Sequence, residues 1–131
     1  MGQRFLLDTN IAIHFRADKL PPNALKMVGT ALEADECSLS VISKMEMLGW
    51  NFADAEEELK AIQFIRGLTL LRLSDEIVDK TIEIRKVHPK TKLPDAIIAA
   101  TALINSLKLL TRNTGDFSKM DGLEIVNPFD L

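Results

Sequence analysis

Residues 92–117 read KLPDAIIAATALINSLKLLTRNTGDF, and the order of their pieces decides the fold class. From Ala96 to Leu103 the chain is apolar on nearly every side, which marks a helix buried all round. Its alanines let neighbouring elements approach closely. Lys108 to Thr111 is a short apolar run that reads as a strand, followed by a loop at Asn113-Thr114-Gly115. A buried helix delivering the chain to a short strand is the repeating unit of an α/β fold.

Outward from this stretch the same alternation continues. Arg4–Leu7, Ser38–Ile42, Thr69–Leu73 and Leu123–Val126 are further short apolar runs, so five strands are expected. Between them lie helical periodicities, at Ala24, Met27, Val28, Ala31 and Leu32, and again at Ala55, Leu59, Ile62 and Ile65. Pro21-Pro22 marks a helix start, Gly67 a helix end, and Pro89 a break after His88. The expected architecture is α/β with a mainly parallel sheet.

A chain of 131 residues with 47% apolar content has the size of one domain with a sizeable core, so a single domain over 1–131 is expected. No apolar run approaches the roughly 20 residues of a membrane span, and the apolar stretch of MGQRFLLD is too short for a secretory signal. Cytoplasm is the expected compartment, and the single cysteine, Cys37, fits reducing surroundings as a buried strand thiol. The net charge of -3 argues against a broad basic face. With four of the 19 acids set aside as ligands the remainder is close to neutral, so charge does not decide for or against nucleic acid.

The four in question are Asp8 in FLLDTN, Glu46 in SVISKMEMLG, Asp95 in KLPDAIIAATAL and Asp116 in LLTRNTGDF. Carboxylate oxygens suit magnesium or manganese, hard cations that keep several waters and serve phosphate chemistry. In open parallel sheets ligands bind beyond the carboxyl ends of the strands. Asp8 ends the first strand, Glu46 lies a few residues past the second at the start of a helix, and Asp116 follows the fourth. Asp95 precedes the fourth strand by a whole helix, so the rule does not bring it to the others. Singly, each acid has an ordinary role: a helix cap for Asp8, a dipole partner for Asp95, a solvated face for Glu46, a turn for Asp116.

Taken together, LLDTN, SVISKMEMLG, LPDAIIAATAL and LLTRNTGDF, closed by GLEIVNP, resemble the PIN-domain family, most closely the VapC-type toxins of bacterial and archaeal toxin–antitoxin pairs. The resemblance spans essentially the whole chain. It implies a three-layer α/β/α sandwich and a metal-binding catalytic site at Asp8, Glu46, Asp95 and Asp116. Thr9, Asn10, Thr111 and Asn113 fall in place as supporting polar groups. It further implies magnesium or manganese as cofactor, hydrolysis of RNA, a homodimer, and a cognate antitoxin that occludes the pocket.

Lys86, Lys90 and Lys92, with Arg85 and His88, precede Asp95 and are candidate RNA contacts, as is Arg112; a solvated charged loop explains the lysines equally well. His14 and His88 sit in no motif with a partner. Met45, Met47, Leu48, Trp50 and Phe52 form an apolar run expected to be mostly core, with part of it free for a dimer contact or an antitoxin helix. A PIN-like module that binds without cutting, an RNA-processing nuclease that is not a toxin, and a DNA nuclease are the alternatives. A phosphoacceptor receiver fits poorly, because the third strand ends LLRLSDE, with its acid beyond a serine.

Overall fold

The computed structural model describes residues 2–131. Five parallel strands, β1 Phe5–Leu7, β2 Cys37–Ser40, β3 Thr69–Leu71, β4 Lys108–Leu110 and β5 Ile125–Val126, form one sheet in the order β3-β2-β1-β4-β5. Among these residues seven α-helices accompany them: α1 Thr9–Arg16, α2 Pro22–Glu33, α3 Val41–Leu48, α4 Ala55–Arg66, α5 Asp75–Val87, α6 Leu93–Ile104 and α7 Thr114–Phe117.

Alternation along the strands builds the layers. Phe5 and Leu7 of β1, Leu39 of β2 and Leu110 of β4 enter a core shared with Ile11, Ala12, Ala24, Val28 and Ile65 of α1, α2 and α4. Their neighbours Leu6 and Leu109 enter a second core with Ile77, Ile84, Ala99, Ala100 and Phe117 of α5, α6 and α7. Strands buried on both faces need apolar residues at successive positions, which is why these segments read as continuous runs. The expected three-layer α/β/α sandwich with a parallel sheet is therefore the observed one. Helix α6 is buried from Ala96 to Ala102, as its composition required, and packs along α5.

Local chemistry sets the element ends. The second strand stops at Ser40 rather than at the expected Ile42, because the Ser40 hydroxyl accepts the Ile42 N–H at 3.2 Å and caps α3. Asp54 and Ser74 cap α4 and α5 in the same way. The expected loop at Asn113-Thr114-Gly115 is shorter, since Thr114 already opens α7. Glu46 lies in the last turn of α3, not at its start. In the apolar run after β2 only Met47 is buried in the core; Leu48 packs against it, whereas Met45 and Trp50 are exposed. Helical periodicity turns Met45 outward and Trp50 lies past the end of α3, a separation that a tally of apolar residues misses.

Cys37 is buried in β2, and burial, helped by the charges of Glu36 and Asp35, pushes its thiol up to about 12. It is a packing residue, as expected. Among the described residues no helix is long and apolar enough to cross a membrane.

Candidate functional site

Chain order explains where a site must form. The chain passes outward from β1 to β2 and β3, then returns to lay β4 against the other side of β1. A crevice opens at the carboxyl ends of β1 and β4, where the strand order reverses. Asp8 immediately follows β1 and Thr111 immediately follows β4. The Asp8 N–H donates to the Leu110 carbonyl at 2.9 Å, and the Thr111 hydroxyl donates to Asp8 Oδ2 at 2.7 Å.

Helix α6 solves the placement of Asp95. Only Asn105 to Leu107 separate its end from β4, so its C-terminus lies near the amino end of that strand. Twelve residues at about 1.5 Å each carry its first turn back to the carboxyl edge. Asp95 thus joins Asp8, Glu46 and Asp116 around a cavity of about 1010 Å³.

Hydrogen bonds hold Asp8, Glu46 and Asp116 in turn. Asp8 caps α1, its Oδ1 accepting the Thr9 N–H at 2.8 Å. The Thr9 hydroxyl donates to Glu46 Oε1 at 2.6 Å and stands 2.7 Å from the Ser43 hydroxyl. A hydroxyl has one proton to give, so Ser43 is the donor to Thr9. The result is a directed chain, Ser43 to Thr9 to Glu46, joining α1 to α3. Asn113 Nδ2 donates to Asp116 Oδ2 at 3.0 Å, and the Asn113 N–H donates to the Thr111 hydroxyl at 2.9 Å. Among the described residues no buried side-chain nitrogen or oxygen is without a partner.

Electrostatics records the crowding. Burial pushes the Asp95 carboxyl above its ordinary range, and the charges of Asp8, Asp116 and Glu46 push it further, with Lys92 opposing. Asp8 is 7% exposed; burial raises its carboxyl too, against the pull of the Thr111 hydroxyl and the Thr9 N–H. Among the described residues no group of three or more acids, histidines or cysteines stands ready-made to enclose an ion. The donor chemistry nevertheless fits a hard divalent cation, because all four groups are carboxylates whose mutual repulsion such a charge offsets. Glu46 and Asp116 are exposed on the cavity wall.

Of the supporting residues, Thr9, Asn10 and Asn113 line the cavity, and Thr111 lies buried beneath Asp8. Lys90 and Lys92 line it as well, joined by His88. Lys86 instead borders a smaller groove with Arg85, Ile82 and Leu93, and Arg112 lies over the Phe129 ring at 4.3 Å; neither lines the acidic cavity. Ser43 and Lys119 are site residues that the sequence reading did not find. Ser43 had a usable signal, since it precedes Glu46 by three and shares its helix face; Lys119 had none.

Thr111→Val removes the donor to Asp8 and the acceptor for the Asn113 N–H together. The expected cost is about 1–3 kcal/mol of stability and roughly 10- to 100-fold weaker magnesium binding. Thr111→Ser, which keeps the hydroxyl, should stay near the parent in thermal melts and in magnesium titration. Equal losses in both variants would show that packing by the Thr111 methyl, not its hydroxyl, matters.

The family model described as PIN domain matches residues 5–123. No match was found among curated proteins. Among solved structures, a chain of a toxin–antitoxin complex from Klebsiella pneumoniae is 32% identical with TM-score 0.74, covering 96% of this chain and 98% of that one. A chain of FitAcB from Neisseria gonorrhoeae is 25% identical with TM-score 0.72, covering 97% and 99%. A chain of DNA-bound VapBC from Salmonella typhimurium is 23% identical with TM-score 0.82, covering 96% and 98%, a likeness of fold.

Proposed function

We propose, from the premise that this chain belongs to the PIN-domain family, that it is a magnesium- or manganese-dependent endoribonuclease and the toxin of a toxin–antitoxin pair. The observation that carries the reading is the convergence of Asp8, Glu46, Asp95 and Asp116, from four separate elements, on one cavity. Toxin–antitoxin complexes among the similar structures support the second half.

In this reading Asp8 and Asp95, with Glu46 and Asp116 assisting, would hold a divalent ion, which would supply an activated water and positive charge for the phosphate. Thr9 and Thr111 fix the two oxygens of Asp8, which limits how far that carboxylate can swing when substrate arrives. Ser43, through Thr9, does the same for Glu46, and Asn113 for Asp116. Lys90 and Lys92, on the cavity wall, hold phosphates flanking the cut. The water oxygen bonds to phosphorus, the bond from phosphorus to the 3'-oxygen breaks, and a proton reaches that oxygen. The products are a 5'-phosphate and a 3'-hydroxyl. The active form is a homodimer, and the antitoxin inhibits by occluding the cavity.

Antitoxin-free protein incubated with total RNA, and separately with DNA of matching sequence, tests this. Discrete RNA fragments with 5'-phosphate ends should appear in magnesium or manganese, vanish in EDTA and return when the ion is restored. Absence of metal-dependent cutting across varied RNAs would favour a PIN protein that binds without cleaving, and preferential DNA cutting would replace the substrate.

A further inference from the structure

Three large apolar side chains line the acidic cavity although none belongs to either core. Met45 is 53% exposed, Trp50 66% and Val87 68%, and they border the same space as Asp8 and Asp95. Trp50 follows the end of α3 four residues after Glu46, while Val87 opens the segment that runs through Lys90 and Lys92 to α6. A tryptophan this exposed leaves a large apolar surface in water, a cost that folding does not recover. What occupies the cavity can recover it.

The charges select the occupant. An acidic floor that takes a divalent ion, with Lys90, Lys92 and Lys119 on its walls, accepts a polyanion bridged to the carboxylates through that ion. A basic peptide would be repelled by the lysines, and an acidic segment, such as one that occludes the cavity, offers an indole a flat face only where it carries an aromatic residue. A nucleic acid brings both phosphates and π-faces. Inside a duplex those faces are already stacked, so only an unpaired base is free to use them.

Resting on the nuclease reading above, we propose that Trp50 is a base-stacking platform that seats an unpaired nucleobase beside the scissile phosphate, making the enzyme selective for single-stranded or looped RNA. Aromatic stacking tolerates any base, so Trp50 governs the strandedness of the target more than its sequence. Its role is substrate binding; the ion-holding groups lie elsewhere in the cavity.

Trp50 is the only tryptophan and the chain has no tyrosine, so its emission reports on this position alone. The full chain, in calcium to slow cleavage, is titrated with a fluorescently labelled unpaired RNA oligonucleotide and with a duplex of equal length. Binding is followed by the label's anisotropy and by Trp50 emission. The unpaired RNA should quench Trp50 at the concentrations where anisotropy rises, and the duplex should bind more weakly.

In magnesium, Trp50→Ala should raise KM for unpaired RNA roughly 5- to 100-fold with kcat nearly kept, and Trp50→Phe should recover most of the loss. The magnesium-induced melting shift should stay unchanged in both variants. An unchanged KM in Trp50→Ala, or RNA binding with no change in Trp50 emission, would overturn the platform while leaving the nuclease intact. No RNA binding at all by the parent protein would overturn the nuclease reading, and the platform with it.

Discussion

In EDTA at neutral pH, Asp95→Asn should melt at a higher temperature than the parent protein, and in magnesium it should be inactive. The gain follows from crowding at the cavity floor. Burial and the charges of Asp8, Asp116 and Glu46 hold the Asp95 carboxyl above its ordinary value of 3.8. Over the interval from that value up to its raised one, the folded chain binds more proton at Asp95 than the unfolded chain does. Stability therefore falls as pH rises through the interval, and neutral asparagine removes that loss. The α6 dipole opposes the gain by about 0.3–1 kcal/mol, since it favours a carboxylate in the first turn.

Magnesium reverses the order. At a hundredfold excess over its dissociation constant a ligand stabilises by about 2.7 kcal/mol, and with Asp95 holding the ion as proposed the variant should forfeit most of this. Cleavage should drop by more than about 100-fold, beyond the usual loss for a residue that only orients a ligand. Thermal melts from pH 4 to 8, in EDTA and in magnesium, beside an RNA cleavage assay, check all three effects. A variant that keeps the full magnesium shift would remove Asp95 from the metal site. One that melts lower in EDTA throughout would show that repulsion at the cavity floor is not what limits the apo protein.

Phe117→Ala should produce the largest loss of stability among single substitutions near the site. Phe117 is 0% exposed and packs in the core beneath α6 with Ile98, Leu109 and Met120. Truncating a buried phenylalanine to alanine costs about 3–5 kcal/mol, a large share of the roughly 5–15 kcal/mol that holds a domain folded. Phe117 also ends the single turn of α7 that carries Asp116, so its loss frees that carboxylate from its place opposite Asp95. Urea denaturation should show the stability loss, and magnesium titration of the folded fraction a weaker site. Phe117→Leu, which refills most of the space, should lose much less of both. A loss below about 1 kcal/mol in Phe117→Ala would mean that α7 packs independently of the core.

Much of this was local, and local features were legible. AIIAATAL reads as a helix buried all round because its own composition leaves no polar face, and Ala96 to Ala102 are buried in α6. The short runs at Arg4–Leu7 and Lys108–Thr111 read as strands because both faces of a parallel sheet are covered, and the strands stand at Phe5–Leu7 and Lys108–Leu110. The candidate acids stood out by their places beside these elements. Element ends were less legible: whether Val41 and Ile42 continue a strand or open a helix depends on the Ser40 hydroxyl turning back onto the backbone, and the residue types suit either.

Position along the chain by itself determined the alternation of strands and helices and the place of Asp8 at the end of β1, because those depend on neighbours within a turn or a pleat. Only the tertiary structure decided that Thr111 reaches Asp8 across 103 residues, that α6 returns Asp95 to the same edge, and that Ser43 secures Glu46 through Thr9. It also parted Lys90 and Lys92, on the cavity wall, from Lys86 and Arg112, and set Trp50 facing the acids instead of the core. The physical reason is that these meetings follow from the strand order and the crossover of α6, which pair residues far apart in the chain, while periodicity and capping act only between residues a few positions apart.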